Sequence, residues 1–312
     1  MRLTSLLALT LTLAMALPLQ ADVESDVEAA ATAAEAGDFE TSLTLLNRII
    51  DSGELPPERH AVMLQNRGVI FQILDDPQTA LDDFNRAIAL SPTYTDALYN
   101  RGITFMALGR PADAANDFSA VIREEPAAVD AYGNLAEAQL AMGLINEAIA
   151  SYDHAIALAP TEVLLLVSRA HARRLAGDMT GAIIDYDTVL AYLGADPLVY
   201  FERGRTRAVD GDMSGALDDF NRALELDPLW VEPMIERGFL YLDQSLFDLA
   251  LIDFDDVLAR EPDVADAFFG RGWAHNGVDD PNAAMDDFMM AYALGYQNAW
   301  LDEHLRELGV IE

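Results

Sequence analysis

The sequence has no cysteine and no lysine, and each absence excludes a class of function. Without cysteine the chain has no disulfide, no thiol catalysis, no cysteine-based zinc site and no lipoprotein cysteine. Because lysine is missing, all 19 basic residues are arginine, and they stand against 53 acidic residues for a formal charge of -34. Nucleic acid and anionic membranes need a cationic protein face, so both are excluded as partners. The acidity favours cationic partners or a salty milieu.

Beyond its first 21 residues the sequence has no apolar run long enough to span a membrane. An arginine precedes an apolar run from Leu3 to Leu17, and the residues that follow, up to Ala21, resemble a cleavage region. The run is short of the ~20 residues that a spanning helix needs. We therefore expect residues 1–21 to be a cleaved signal peptide rather than an anchor, and the mature protein to have no stable membrane insertion. The expected location is the periplasm, with an extracellular location as the alternative.

What the sequence has in abundance is repetition. The stretch ALDDFNRAIAL, which starts at Ala80, returns as ALDDFNRALEL, which starts at Ala216. A register of 34 positions runs without a gap through seven repeats, which start at residues 61, 95, 129, 163, 197, 231 and 265. Position 20 is always alanine, position 24 is phenylalanine or tyrosine, and position 8 is glycine or alanine. A period of this length indicates a stack of identical supersecondary units.

Each repeat is predicted to form two antiparallel helices. Apolar residues recur at helical spacing over roughly the first 14 positions and again over positions 17 to 30. A turn of the Gly-Asp type separates them, as at Gly177 and Asp178, and a proline at position 32 ends the second helix in five repeats. The small residues at positions 8 and 20 allow the helices to approach closely, and the aromatic residue at position 24 fills the space beside them.

This pattern resembles the tetratricopeptide repeat (TPR) family, in which Trp-x2-Leu-Gly-x2-Tyr is followed by Ala-x3-Phe and then by Pro. The second repeat carries it as Leu98, Arg101, Gly102, Phe105, Ala114, Phe118 and Pro126. The resemblance implies an all-α, right-handed superhelical solenoid of antiparallel helix pairs, with seven repeats over residues 61–298. We expect a degenerate helical hairpin at residues 22–60 and a capping helix at residues 299–312. In that helix Trp300 is expected to share one side with Leu301, Leu305 and Leu308.

An arginine at position 7 and an aspartate at position 23 occur together in six of the seven repeats. The remaining repeat, the third, has Leu135 and Ser151 instead and so lacks both. The two positions lie symmetrically about the turn, so we predict an ion pair across each hairpin. Because the feature is copied so often, we interpret the aspartates, Asp83 and Asp219 among them, as structural rather than catalytic.

The resemblance also implies that positions 2, 5, 6, 9 and 12 of the first helices line a concave groove that binds peptides or other proteins. Three groups of candidate binding residues occupy these positions. The first is a row of asparagines that could bond to a peptide backbone. The second is cationic and includes Arg173 and Arg207, and the third is apolar and includes Phe201 and Ile235. The candidates are Asn66, Asn100, Asn134, His171, Arg174, Arg205, Phe239, Phe269 and Trp273.

Each group has a plainer alternative. The asparagines could be solvated surface, the arginines could be neutralised locally by Glu202 and neighbouring acids, and the aromatic residues could pack between repeats. We predict no catalytic residue, no metal site and no cofactor, because the repeat architecture uses nearly every residue. The predicted function is a non-enzymatic scaffold that binds a peptide segment or a partner protein in the groove. The alternative is an accessory subunit of an envelope enzyme that binds an anionic or glycan ligand at the arginines, and homo-oligomerisation is a further option.

Overall fold

The computed structural model describes residues 21–307, and within this range it contains seventeen α-helices and no strand. The predicted signal peptide lies outside the described residues except for Ala21, and Leu308 also lies outside them. The helices are α1 (Ala21–Glu35), α2 (Phe39–Asp51), α3 (Pro57–Ile73), α4 (Pro77–Leu90), α5 (Thr95–Ala107), α6 (Pro111–Glu124), α7 (Val129–Ala141), α8 (Ile145–Leu158), α9 (Val163–Leu175), α10 (Met179–Leu193), α11 (Pro197–Asp210), α12 (Met213–Leu226), α13 (Val231–Asp243), α14 (Phe247–Arg260), α15 (Ala265–Gly277), α16 (Pro281–Ala293) and α17 (Ala299–Glu307).

The helices pack as successive hairpins, and the prediction of an all-α solenoid is confirmed. Pairs such as α3 with α4 and α11 with α12 form the hairpins, and the second helix of a hairpin also packs on the first helix of the next, as α4 does on α5. The helix α3 begins at Pro57, four residues before the repeat register starts, because a proline is favourable at the first helical position. The chain divides into two compact units between Leu165 and Leu166.

Position 15 of the repeat makes the turn of each hairpin. Its backbone is left-handed in every repeat, at Asp75, Gly109, Gly143, Gly177, Gly211, Ser245 and Asp279. Glycine takes this conformation at no steric cost, which explains its frequency here. The next residue is the N-cap of the second helix, and where it is aspartate its side chain accepts a hydrogen bond from the backbone N–H three residues on.

One hairpin offers a direct test of this capping. Leu144 occupies the N-cap of α8 with a backbone conformation close to that of Asp178, but it provides no side-chain cap and is exposed. We expect Leu144→Asp to raise the free energy of unfolding by about 1 kcal/mol. Leu144→Ala, which removes the exposed side chain without adding a cap, is the control. Urea denaturation of the three proteins checks this, and equal stability of the Asp and Ala variants would contradict it.

At the core of each repeat an aromatic ring packs against a small residue. In five repeats position 8 is glycine and position 24 is phenylalanine, and a Cβ built on the glycine would lie 2.7–2.8 Å from the nearest ring atom. In the other two repeats position 8 is alanine and position 24 is tyrosine, namely Ala136 with Tyr152 and Ala170 with Tyr186. All seven rings are buried. The two positions therefore vary together, and in the glycine repeats the ring leaves no room for a Cβ.

The predicted ion pairs are confirmed in all six hairpins. Each arginine donates two parallel hydrogen bonds to one carboxylate, with Nη2···Oδ1 distances of 2.5–2.7 Å and Nε···Oδ2 distances of 2.7–3.0 Å. The aspartate side chains are only 1–7% exposed. The pairs are Arg67–Asp83, Arg101–Asp117, Arg169–Asp185, Arg203–Asp219, Arg237–Asp253 and Arg271–Asp287.

These arginines also join one hairpin to the hairpin before it. The remaining nitrogen, Nη1, donates to a polar side chain on the preceding second helix, for example from Arg101 to Asn85 at 2.8 Å and from Arg237 to Asn221 at 2.6 Å. A guanidinium that binds three partners in fixed directions sets the orientation of all three. In the third repeat, which lacks the pair, Ser151 instead donates to Gln139. The charged pairs thus hold the stack together on one side of the first helices and leave the other side for function.

Candidate functional site

The remaining side of the first helices is made of positions 2, 5, 6, 9 and 12, which we call the groove face. First helices of neighbouring repeats contact one another, as α5 contacts α7 in the first unit and α13 contacts α15 in the second. Their groove-face positions therefore form a continuous surface within a unit. The asparagine row lies in the first unit, whereas the cationic and apolar candidates lie in the second.

The three asparagines of the row lie in three different surroundings. Asn134 donates from Nδ2 to the hydroxyl of Tyr99 at 2.7 Å, and burial raises the pKa of that tyrosine to about 12. Asn100 is half-buried and its backbone carbonyl accepts from Gln72 Nε2 at 2.9 Å. Asn66 is buried, and its Nδ2 has no partner among the described residues. The row does not present three equivalent free amides, so it is a weak candidate for a backbone-binding ladder.

The cationic candidates are neutralised by acids on the same face. Arg174 Nη1 lies 2.9 Å from Glu202 Oε2, and Arg205 Nε lies 3.3 Å from Glu236 Oε1. His171 is exposed. Local neutralisation, the plainer alternative, is confirmed for the two arginines. An anionic ligand would have to displace these carboxylates before it could bind.

The expectation that Arg173 and Arg207 belong to the cationic group was wrong. Both arginines turn into the hairpin, where they donate to Asp185 and Asp219 at 2.8 Å. Position 11 lies one helical turn after position 7, so its side chain reaches the same buried carboxylate that the position 7 arginine holds. In the fourth and fifth repeats each aspartate therefore accepts from two arginines.

Tyr186 is buried near the arginines of the groove face, and its pKa is raised. Burial raises its pKa from 10.0 to about 12, and the nearby carboxylate of Glu202 adds to this effect while Arg174 opposes it. The hydroxyl is therefore neutral at any physiological pH. It interacts electrostatically with both Arg174 and Glu202.

The raised pKa of Tyr186 predicts a loss of stability in alkali. In the unfolded chain the hydroxyl ionises near pH 10, whereas in the folded protein it keeps its proton until about pH 12. The free energy of unfolding therefore falls as the pH rises through this window. Over the same pH window, the free energy of unfolding of Tyr186→Phe is expected to fall less than that of the wild type, by on the order of 1–2 kcal/mol. Urea denaturation across this pH range checks the difference, and parallel losses in the two proteins would contradict it.

The aromatic candidates are packed together rather than spread along an open groove. Phe269 is buried, and its ring centroid lies 4.4 Å from that of Tyr296. Phe239 packs edge-on against Phe254 at 5.3 Å. Trp273 is half-buried and lies 4.6 Å from Trp300 and 5.9 Å from Phe288. Trp273→Ala should therefore cost stability as well as any binding, in line with the alternative that the aromatic residues pack between repeats.

Trp300 is the functional candidate that the sequence reasoning missed. It was expected to share one side of α17 with Leu301 and Leu305, but those two are fully buried whereas Trp300 is 39% exposed. Its ring stacks on His304 at 4.8 Å with an interplanar angle of 16°. If the register of 34 continues into α17, Trp300 falls at position 2 and His304 at position 6, both on the groove face. Extending the register by one unit would have found them.

Phe269, Trp273, Trp300 and His304 thus form a chain of ring contacts, and Phe239 packs against the same hydrophobic cluster. We call these five residues the aromatic row. Carboxylates lie beside it: Glu236 and Asp266 interact electrostatically with each other, and Asp266 also acts on Tyr296. Burial raises the pKa of Glu236, and the Arg205 guanidinium opposes that rise. Half-buried rings next to partly desolvated acids make a surface suited to association rather than to chemistry.

Comparison with known proteins agrees with this architecture. The sequence matches the tetratricopeptide repeat family over residues 99–163 and 236–298. The C-terminal part of a TPR repeat-containing protein from Cytophaga hutchinsonii superposes with a TM-score of 0.69 at 17% identity, over 78% of this chain and 98% of that chain. The chain folds as a tetratricopeptide repeat solenoid. No curated protein matches its sequence.

Two further solved structures are similar to this TPR chain. YrrB, described as a TPR protein with an unusual peptide-binding site, has a TM-score of 0.51 at 20% identity, over 62% of this chain and 99% of that chain. MamA from Desulfovibrio magneticus RS-1, from residue 41 to its end, has a TM-score of 0.53 at 20% identity, over 56% and 97%. At these identities the likeness concerns the fold.

Within residues 21–307 no group of three or more histidine, aspartate or glutamate side chains is placed to hold a metal ion. In the same part of the chain, none of the helices has both the length and the hydropathy needed to cross a bilayer.

Proposed function

We propose that this TPR protein is a non-enzymatic scaffold that binds a segment of a partner protein on the groove face of its sixth and seventh repeats. The observation that carries the proposal is the exposure of Trp300 within the aromatic row. Tryptophan is enriched among the residues that dominate binding energy at protein interfaces, and its half-buried neighbours here provide a rigid platform. The peptide-binding site described for YrrB shows that a TPR protein of similar fold can serve this role.

The groove-face positions are distinct from those of the charged pairs and from those of the ring packing in the core of each repeat. Positions 7 and 23 are used by the charged pairs, and positions 8, 20 and 24 are used by the core. The groove-face positions vary between repeats, for example from Asn134 to Glu236 at position 6 and from His171 to Trp273 at position 9. We do not carry forward the anionic or glycan ligand at the arginines, because Arg174 and Arg205 are already paired with Glu202 and Glu236.

We also propose that the protein acts outside the cytoplasm, in the periplasm or beyond it. The apolar run from Leu3 to Leu17 and the small-residue region that ends at Ala21 support export with cleavage. Cell fractionation followed by N-terminal sequencing of the mature chain tests this. A chain that starts at Asp22 in the periplasmic fraction is expected, and an uncleaved chain that stays in the cytoplasm would contradict it.

Affinity capture with matched variants tests the binding proposal. Trp300→Ala removes the exposed ring of the groove face, and Ile252→Ala, on the second helix α14, removes an exposed apolar side chain from another face. We expect proteins captured from envelope extracts by the wild type and by Ile252→Ala to be lost from Trp300→Ala. Thermal unfolding of each variant verifies that the fold is kept. The same captured proteins with all three baits would contradict the proposal.

Self-association is the competing outcome, and it has its own readout. Light scattering over a concentration series of the wild type and Trp300→Ala reports whether the aromatic row binds a second copy of the chain. A constant mass for both proteins is expected. A mass that rises with concentration only in the wild type would show that the aromatic row binds a second copy of the chain instead of a partner protein.

A further inference from the structure

We infer that the segment bound by this face is cationic, and that an arginine or lysine side chain of the partner sits between the acids and rings of the sixth and seventh repeats. The inference rests on the proposed function, because it names the chemistry of the partner for the same face. It is carried by a comparison of two neighbouring parts of that face, one of which already holds a guanidinium of this chain.

The fifth repeat shows how the groove face holds a guanidinium. Arg205, at position 9, lies over the ring of Phe201, with its Cζ 5.6 Å from the ring centroid. The same guanidinium contacts the position 6 acids on two successive repeats, Glu236 at 3.3 Å and Glu202 at 3.9 Å. A planar cation is thus held between an aromatic face and two carboxylates, which is an arrangement that favours arginine.

The next two repeats have rings in place of the position 9 arginine. Position 9 is Phe239 and then Trp273, and position 6 of the seventh repeat is Gly270, which adds no side chain. Glu236, which contacts Arg205, keeps 41% of its side chain exposed, and Phe239 lies one helical turn after it. Asp266 is exposed at position 2, and its charge acts on the Glu236 carboxylate. Neither repeat has an arginine at position 9, so a further cation beside these acids and rings must come from another molecule.

The charge around this part of the face supports the same partner. Residues 231–307 contain seventeen acidic residues and four arginines. Two of the arginines, Arg237 and Arg271, are held in bidentate pairs by buried aspartates. A surface with such an excess of one sign raises the local concentration of cationic segments and disfavours acidic ones. A neutral apolar segment would use the rings but would gain nothing from the acids.

Peptide binding with an isosteric control tests the inference. The probe is a fluorescein-labelled peptide of twelve residues in which four arginines alternate with neutral residues, and its control carries citrulline at the four arginine positions. Citrulline keeps the shape of the side chain and removes the charge. By fluorescence polarisation we expect the wild type to bind the arginine peptide at least tenfold more tightly than the citrulline peptide.

Two pairs of substitutions with equal charge change locate the effect. Glu236→Gln with Asp266→Asn removes two charges from the groove face, and Asp248→Asn with Asp286→Asn removes two from the second helices α14 and α16. The first pair is expected to reduce the preference for arginine at least fivefold, and the second pair to leave it within twofold. Trp300→Ala is expected to weaken binding of the arginine peptide by tenfold or more.

Equal binding of the arginine and citrulline peptides would overturn the inference, as would equal losses in the two charge-removing variants. The proposed function fails separately. If Trp300→Ala loses its captured proteins while the wild type does not distinguish the two peptides, the groove face binds a partner, but that partner is not cationic.

Discussion

Replacing Arg101 with leucine is expected to lower the free energy of unfolding by about 3–5 kcal/mol, because Asp117 then stays buried without its cation. The Asp117 side chain is 7% exposed and receives both of its strong hydrogen bonds from this one arginine. The cost arises mainly from the stranded carboxylate. Urea denaturation of the wild type and the variant measures it.

The double variant Arg101→Leu with Asp117→Ser is expected to recover most of that loss. It reproduces the residues that the third repeat has at the same positions, Leu135 and Ser151. Removing both partners of a buried ion pair leaves no unpaired charge, so its effect is far smaller than removing one. The exposed pair of Arg222 with Glu225 provides the control, since Arg222→Leu should change stability by less than about 0.5 kcal/mol. Equal losses in the single and double variants would contradict the pairing account.

Gly204→Ala is expected to lower the free energy of unfolding by about 2–3 kcal/mol, although alanine is the better helix former. A Cβ at this position would lie 2.8 Å from Phe220 Cε1, and 3.1 Å from the Cβ of Asp219. The Phe220 ring is fully buried and has no free space to move into. Chemical denaturation measures the change in the free energy of unfolding, and a loss rather than a gain is the decisive result.

Gly133→Ala is the matched control for this substitution. Gly133 also lies within a first helix, α7, but a Cβ there would meet only the end of the Leu165 side chain, at 3.2 Å. Because that side chain is flexible, the gain in helix propensity should dominate, and stability should stay equal or rise by up to about 1 kcal/mol. A gain in stability from Gly204→Ala as well would show that position 8 is not a packing constraint.

The fold followed from comparison of the repeats with one another. Seven alanines at position 20 and seven aromatic residues at position 24 define a repeated core, so the two-helix unit and its period could be predicted without the structure. The Arg–Asp pairs could be predicted for the same reason, because Leu135 and Ser151 replace both partners together. A feature that recurs in many repeats can be predicted from one chain, because each repeat is a separate observation of it.

The candidate site was harder to predict because it is built from residues that occur once. The sequence offered Glu202 as a partner for the arginines but could not decide between that pairing and a free cationic surface, because the pairing of Arg174 with Glu202 depends on a contact between neighbouring repeats. Arg173 was assigned to the groove, but its side chain turns into the hairpin. There it and Arg169, one helical turn earlier, both donate to Asp185. Trp300 was assigned to a buried side because α17 was treated as a separate cap rather than as the start of another unit.

The exposure of Trp300 leads to the most direct test of the central claim, that the groove face of the last repeats binds a protein partner. An aromatic photo-crosslinking amino acid, which keeps a ring at the substituted position, is placed at position 300 in one protein and at position 252, exposed on α14, in another. On illumination in cells, crosslinked partners are expected from position 300 and not from position 252. Crosslinks from position 252 alone, or from neither position, would contradict the account.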